Sequence, residues 1–247
     1  MSEHMFDHAG IDHAGIDRSV LVAPAALARP TLPVVGALTA LFPHGGLVRG
    51  TSVAVSGGPG STSLALAAVA AASQAGSWVA VVGVGDLGLG AMGWTGVAHD
   101  RVLLVDAPGA DLWPRVMAVL AGSVDVVVAG PPATGGRRPP GAVPPRVGRR
   151  LGTVVREQSA VVLTVGWEIP GFEPQVRLAV TAEHWDGLGG GHGHLRSRRV
   201  AVTRTGRGSA GRLGTHWLWL PSCDGTVLPA DPPSSTATVL AWPAGGR

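Results

Sequence analysis

The chain has 247 residues, 45% of them hydrophobic, which is enough for one domain with a real core, and no apolar run reaches membrane-spanning length. Charged residues are only 14%, arginine supplies all 19 basic charges, and the net charge of +3 does not by itself make a nucleic-acid binder. The single cysteine, Cys223, excludes intramolecular disulfides and cysteine-rich zinc sites.

Residues 1–30 read as a mostly disordered leader. It carries a direct repeat, Asp-His-Ala-Gly-Ile, twice between Asp7 and Ile16, and a short apolar segment, Val20 to Ala28, ended by Pro30. The leader lacks the cationic and apolar parts of a secretion signal, so a cytoplasmic location is expected. Val34 to Phe42 predicts a short helix, and Thr51 to Val55 a first strand. A turn, Ser56 to Ser63, leads into an Ala-rich helix from about Leu64 to Gln74, stopped by Gly76. Trp78 to Val82 is a continuous apolar strand of the kind buried on both faces. Asp86 to Trp94 predicts a helix and Val102 to Val105 a strand; Leu112 to Ala121 predicts a helix capped by Asp111. Val124 to Ala129 is a buried strand, Pro131 to Pro145 a loop, Arg146 to Gln158 an Arg-rich helix, and Ala160 to Val165 a strand. This alternation predicts an α/β fold, a mostly parallel sheet flanked by helices. Gln175 to Ala182, Arg198 to Thr205 and Thr215 to Leu220 have no helix between them and predict an antiparallel C-terminal extension. The folded core is expected over 31–221, with Ser222 to Arg247 a flexible tail.

The strand–turn–helix at Gly50 to Ala72 has the layout of a phosphate-binding loop, but its chemistry is missing. A working loop spaces two glycines by four residues and follows them with Lys and Ser or Thr. Here Gly57, Gly58, Pro59, Gly60, Ser61 and Thr62 form a degenerate version. Pro59 has no N–H, Ser61 stands where the Lys belongs, and the chain contains no Lys. The hydroxyls of Ser61, Thr62 and Ser63 read more simply as helix caps. Neither a cofactor nor a catalytic residue is assigned.

The stretch Ala37 to Val55, ALTALFPHGGLVRGTSVAV, and the strand order to Pro221 resemble the core of RecA recombinases. Carried over residue by residue, the ATPase chemistry of that family fails. The Lys position is Ser61, the water-activating Glu falls near Gly85 beside Asp86, and the magnesium-side Asp position is Gly130. Asp125 stands at the wrong end of its strand, and Gly166 to Glu173 is too short to act as the DNA-contacting loop. A RecA-like chain without these residues is similar to the ImuA family. The run Trp185-Asp186-Gly187-Leu188 … Gly191-His192-Gly193-His194-Leu195-Arg196 resembles its actinobacterial branch, ImuA-prime. That resemblance implies a non-enzymatic accessory protein of damage-induced (SOS) translesion DNA synthesis. Its implied partner is ImuB, a Y-family polymerase homologue. Indirect partners are an error-prone DNA polymerase III alpha subunit and the beta sliding clamp, with nucleoid association under DNA damage.

Several side chains are candidates for contact. Arg137, Arg138, Arg146, Arg149, Arg150 and Arg156 form one basic cluster, suited to DNA phosphates, to an acidic partner or to a solvated face. Arg196, Arg198, Arg199, Arg204, Arg207 and Arg212 form another. His184, Asp186, His192 and His194 lie close, but the intervening glycines fit no metal motif; they read as a Gly-rich connection with Trp185 packed on the core. Trp217 and Trp219 share one face of the last strand, expected to be core; with Leu240 and Trp242 of the tail they are the partner-binding candidates. Low charge with high apolarity points to a surface covered by a partner. A RecA-like ATPase with an unusual phosphate loop and a single-strand DNA-binding module stand as alternatives; a membrane role does not.

Overall fold

The computed structural model describes residues 30–85, 87–133, 143–188, 193–206, 211 and 213–233. The leader repeat, the segment Val20 to Ala28, Asp86, Arg137, Arg138, His192, Arg207, Arg212, Leu240 and Trp242 lie outside the described residues.

The strands are β1 (Thr31–Pro33), β2 (Gly46–Val48), β3 (Ser52–Gly57), β4 (Val79–Val82), β5 (Val102–Val105), β6 (Val126–Ala129), β7 (Val161–Val165), β8 (Val176–Leu188), β9 (Gly193–Gly206), β10 (Leu213–Trp219) and β11 (Leu228–Pro229). The helices are α1 (Ser61–Gln74), α2 (Leu89–Trp94), α3 (Trp113–Ala121) and α4 (Pro145–Glu157). Nine strands make one sheet in the order β11-β10-β9-β8-β3-β7-β6-β4-β5. β3 to β8 run parallel, and β9, β10 and β11 continue antiparallel. The fold is therefore the expected mostly parallel sheet with an antiparallel C-terminal extension. One strand of that extension differs: β8 pairs parallel with β3, because the connection after β7 returns to the start of the sheet.

β4, β6 and β7 are buried at every position, and all but Thr164 of these residues are apolar, because helices cover both faces. On one face α1 packs against Val55, Val81, Val128, Leu163 and Leu178. The 3-10 helix Gly36–Leu41 and the β1–β2 pair lie in the same core, with Leu38, Leu41 and Leu47 fully buried. The helix expected over Val34 to Phe42 is thus a 3-10 turn, and the small sheet beside it is new. α1 is sandwiched between this arm and the sheet. That burial explains its alanines, since bulkier side chains would not fit between two layers. On the other face Trp113 and Met117 of α3 and Leu151 and Val155 of α4 cover Val82, Val127 and Val162.

Four local expectations change. α2 is only a six-residue helix. Leu112, not Asp111, is the N-cap of α3. β8 and β9 are far longer than predicted, so Glu183 to Asp186 and His194 to Ser197 are paired strand rather than connection. The folded unit also runs past Pro221. Ser222 is buried, and β11 pairs with the edge of β10, where the tail was expected to begin. Among the described residues, no helix is long and apolar enough to cross a membrane.

Candidate functional site

β3 ends at the Gly-rich turn and α1 starts at Ser61, the strand–turn–helix layout read from the sequence. The turn is closed on itself. Gly58 N–H donates to the Val180 carbonyl at 3.4 Å, and Ser61 N–H donates back to the Gly58 carbonyl at 3.4 Å. These two donors are spent within the protein rather than arrayed around an anion. The N-cap of α1 is Gly60, at φ 103°, where a left-handed backbone suits glycine. No side chain caps the helix there, so the capping role expected for Ser61, Thr62 and Ser63 is not taken up.

The guanidinium of Arg198, from β9, lies over the mouth of this turn. A Cβ at position 60 would lie 3.4 Å from its Cζ. Nε donates to the Leu220 carbonyl at 2.7 Å and Nη2 to Ser63 Oγ at 2.9 Å. The Glu183 carboxylate stands 3.8 Å from Nη1, and the Trp185 ring lies 5.0 Å beneath Cζ. Arg198 is 7% exposed, and burial pushes its pKa down, with Glu183 opposing the shift. Its reading as a surface contact is therefore corrected. Trp185 likewise stacks on this arginine instead of packing in the apolar core. A cation thus sits where a RecA-like loop would hold phosphate oxygens, and its donors are turned to protein acceptors.

The magnesium-side position is closed by backbone. Gly130 follows β6 and donates to the Val82 carbonyl at 2.8 Å. A Cβ there would lie 2.1 Å from the Gly83 carbonyl oxygen, so no carboxylate side chain fits without moving the strand ends. Asp125, at the other end of β6, has a structural task. It accepts from Arg49 Nη2 at 2.8 Å and from the Trp78 N–H at 3.0 Å. Among the described residues, no group of three or more His, Cys, Asp or Glu side chains is placed to hold a metal ion.

The contact candidates separate. Trp217 and Trp219 do share a face, but it is the half-buried outer face; Leu218 and Leu220 take the core. Period two gave the pairing of the tryptophans but not which side the helices cover. Arg199 lies 5.1 Å from the Trp219 ring centroid, and its Nη2 lies 3.6 Å from Asp186 Oδ1. His184 pairs with the same carboxylate at 3.2 Å, so that His–Asp pair is tied into the strands rather than set apart as a ligand cluster. Arg146, Arg149, Arg150 and Arg156 are exposed on α4, opposite its buried residues Gly148, Leu151, Gly152 and Val155. Sequence reasoning missed the far edge of the sheet. There, among the described residues, β5 is a strand without an outer neighbour, and its Leu103 and Leu104 are exposed. Its uncharged run Val-Leu-Leu-Val was visible, but edge position depends on strand order.

Among solved structures, the chain is similar to the crystal structure of the RadB recombinase, at 15% identity and a TM-score of 0.54, over 79% of this chain and 97% of that one. This likeness establishes a RecA-like fold. No curated protein matches the chain. A family model described as the MT3502 N-terminal domain matches residues 40–171. That span covers more than half of the chain, including the degenerate phosphate loop, Gly130 and α4, and the chain belongs to the MT3502 N-terminal domain family.

Proposed function

We propose that this RecA-like protein is a non-enzymatic accessory factor of DNA-damage-induced translesion synthesis, docking to an ImuB-like Y-family polymerase homologue. The observation that carries the non-enzymatic part is Arg198, held over Gly60 by the Leu220 carbonyl and Ser63 where nucleotide phosphates would lie. Electrostatic stabilisation of the transferring phosphoryl group is the main source of catalysis in this chemistry. With neither a lysine nor a carboxylate at Gly130, that stabilisation is missing. The translesion role and its partners rest on the resemblance of Trp185 to Arg196 to the ImuA-prime run. RadB being a recombinase is in keeping with a DNA-repair setting.

The test has two arms. ATP binding and hydrolysis are measured with and without single-stranded DNA, and no turnover is expected. Turnover at RecA-like rates that is lost in Ser61→Glu would restore the ATPase reading. Co-purification with an ImuB-like protein is expected to succeed; failure of a folded sample to recover that partner would remove the adaptor reading.

A further inference from the structure

We infer that the open cleft between α4 and the starting end of β3 binds the sugar-phosphate backbone of a nucleic acid without reading its sequence. The cleft has a volume of about 910 Å³ and is lined by His44, Ser52, Arg149, Thr153, Arg156 and Gln175. It opens at Ser52, the first residue of β3, whereas the phosphate loop follows the last. The inference therefore concerns a different site from the Arg198 cluster and stands independently of the adaptor reading.

Two independent features point to an anion. Arg149 and Arg156 are exposed and pair with no carboxylate among the described residues; Arg156 donates only to Thr153 Oγ1, at 3.2 Å. Some arginines elsewhere are tied to acids, as Arg49 is to Asp125 and Arg177 to Glu168 and Glu173, and Arg115, Arg146 and Arg150 are exposed but do not line the cleft. Glu173 also lines the cleft, but Arg177 holds it at 3.0 Å. The second feature is Ser52. The residue is 3% exposed, lines the cleft, and its buried Oγ has no hydrogen-bond partner. A buried hydroxyl without a partner is costly and invites a ligand acceptor.

The donor chemistry selects the ligand. Arginine, serine, threonine and glutamine are the side chains that contact phosphate and sugar. Arg149 and Arg156 stand seven residues apart on α4, about two turns and a rise of about 10 Å, so both guanidinium groups lie along one face of the helix. An acidic peptide would also need apolar anchors. The cleft offers only Phe172 and Pro174, both already buried. Its only exposed ring among the described lining residues is His44, too little for a run of stacked bases, so the contacts fall on the backbone.

The experiment measures binding of a labelled oligothymidine to the full chain by fluorescence anisotropy over a salt series starting near 50 mM. Arg149→Glu/Arg156→Glu should weaken binding at least about tenfold and reduce the log–log salt slope by about 1.4, the value for two single-strand phosphate contacts. Arg149→Lys/Arg156→Lys should keep the slope. Arg115→Glu, an equal charge change per residue on exposed α3, should stay within about twofold of wild type. Ser52→Ala should weaken binding a few-fold while the protein remains folded. Absent binding at low salt, an unchanged double-Glu variant, or displacement of the oligonucleotide by polyglutamate at equal charge concentration would each overturn the inference.

Discussion

A guanidinium at the N-terminal end of a helix works against the helix dipole, so Arg198 must be compensated locally. Ser63, the Leu220 carbonyl, Glu183 and the Trp185 face supply that compensation. Arg198→Met removes the cation but leaves Glu183 with a buried Oε2 that already lacks a hydrogen bond. Breaking such a pair leaves an uncompensated charge, and chemical denaturation should register a loss of about 2–4 kcal/mol. Adding Glu183→Gln to the Arg198→Met variant should recover part of it, because the stranded charge is gone. Full wild-type stability in the single variant would mean that the cluster is not a clamp. Ser52 behaves oppositely. Its Oγ is buried and unpaired, so Ser52→Ala should be neutral or stabilise the free protein by up to about 1 kcal/mol. Asp224 sets a pH dependence. Hydrogen bonds from the Ser222 and Thr226 hydroxyls and the Thr226 N–H lower its pKa from 3.8 to about 2. Because the folded value is the lower one, the contribution is present above about pH 4 and is lost as the pH falls towards 2. Carboxyl NMR titration should give a midpoint near 2, moving up towards 3.8 in Thr226→Val.

At the level of elements, the turn before α1 separates backbone requirement from side-chain chemistry. Gly60 sits at φ 103° beneath Arg198, so Gly60→Ala should cost about 1–3 kcal/mol in strain alone. Ser61 makes no cap, so Ser61→Ala should change stability by less than about 0.5 kcal/mol and leave partner binding unchanged. Thermal denaturation of the two variants side by side checks both. The sequence made this turn legible as an emptied phosphate loop because glycines, Pro59 and the absent lysine are local signals. It did not reveal the occupant. Arg198 lies 135 residues beyond Ser63, and no periodicity links a strand arginine to a distant helix start. The parallel strands were legible for the same local reason, since runs such as Val-Val-Val-Ala at β6 admit little else. The length of β8 and β9 was hidden because Glu, His, Trp and Asp in succession do not alternate. They alternate in environment instead, with Glu183 and Trp185 beside Arg198, and His184 and Asp186 with Arg199 on the opposite face.

For the whole molecule, the sheet order leaves two unequal margins, and the two ends of the chain's folded unit meet one of them. β5 ends the parallel side with exposed Leu103 and Leu104, whereas the antiparallel side is closed by β11 and the turn before it. That closing segment is integral to the fold. Ala230 N–H donates to the Trp217 carbonyl at 2.9 Å, Ser222 N–H to the Thr226 carbonyl at 2.9 Å, and Val227 packs on the main core. Partner docking through the C-terminal region must therefore be tested with a cut placed beyond it. A chain ending at Pro233 keeps these contacts and should melt like the full-length protein. A chain ending at Pro221 strips them from β10 and should lose about 1–3 kcal/mol, a fall in melting temperature of roughly 3–10 °C. If Leu240 and Trp242 are the partner handle, the Pro233 truncation should already lower recovery of an ImuB-like protein in a pull-down. Trp242→Ala in the full chain should then cost about 1–3 kcal/mol of that binding. Undiminished recovery by the Pro233 truncation would exclude the last residues and move the interface to the half-buried Trp217 and Trp219 face. Recovery lost only in the Pro221 truncation, together with its melting temperature, would show that the β11 segment acts through the fold of β10 and not as a separate handle.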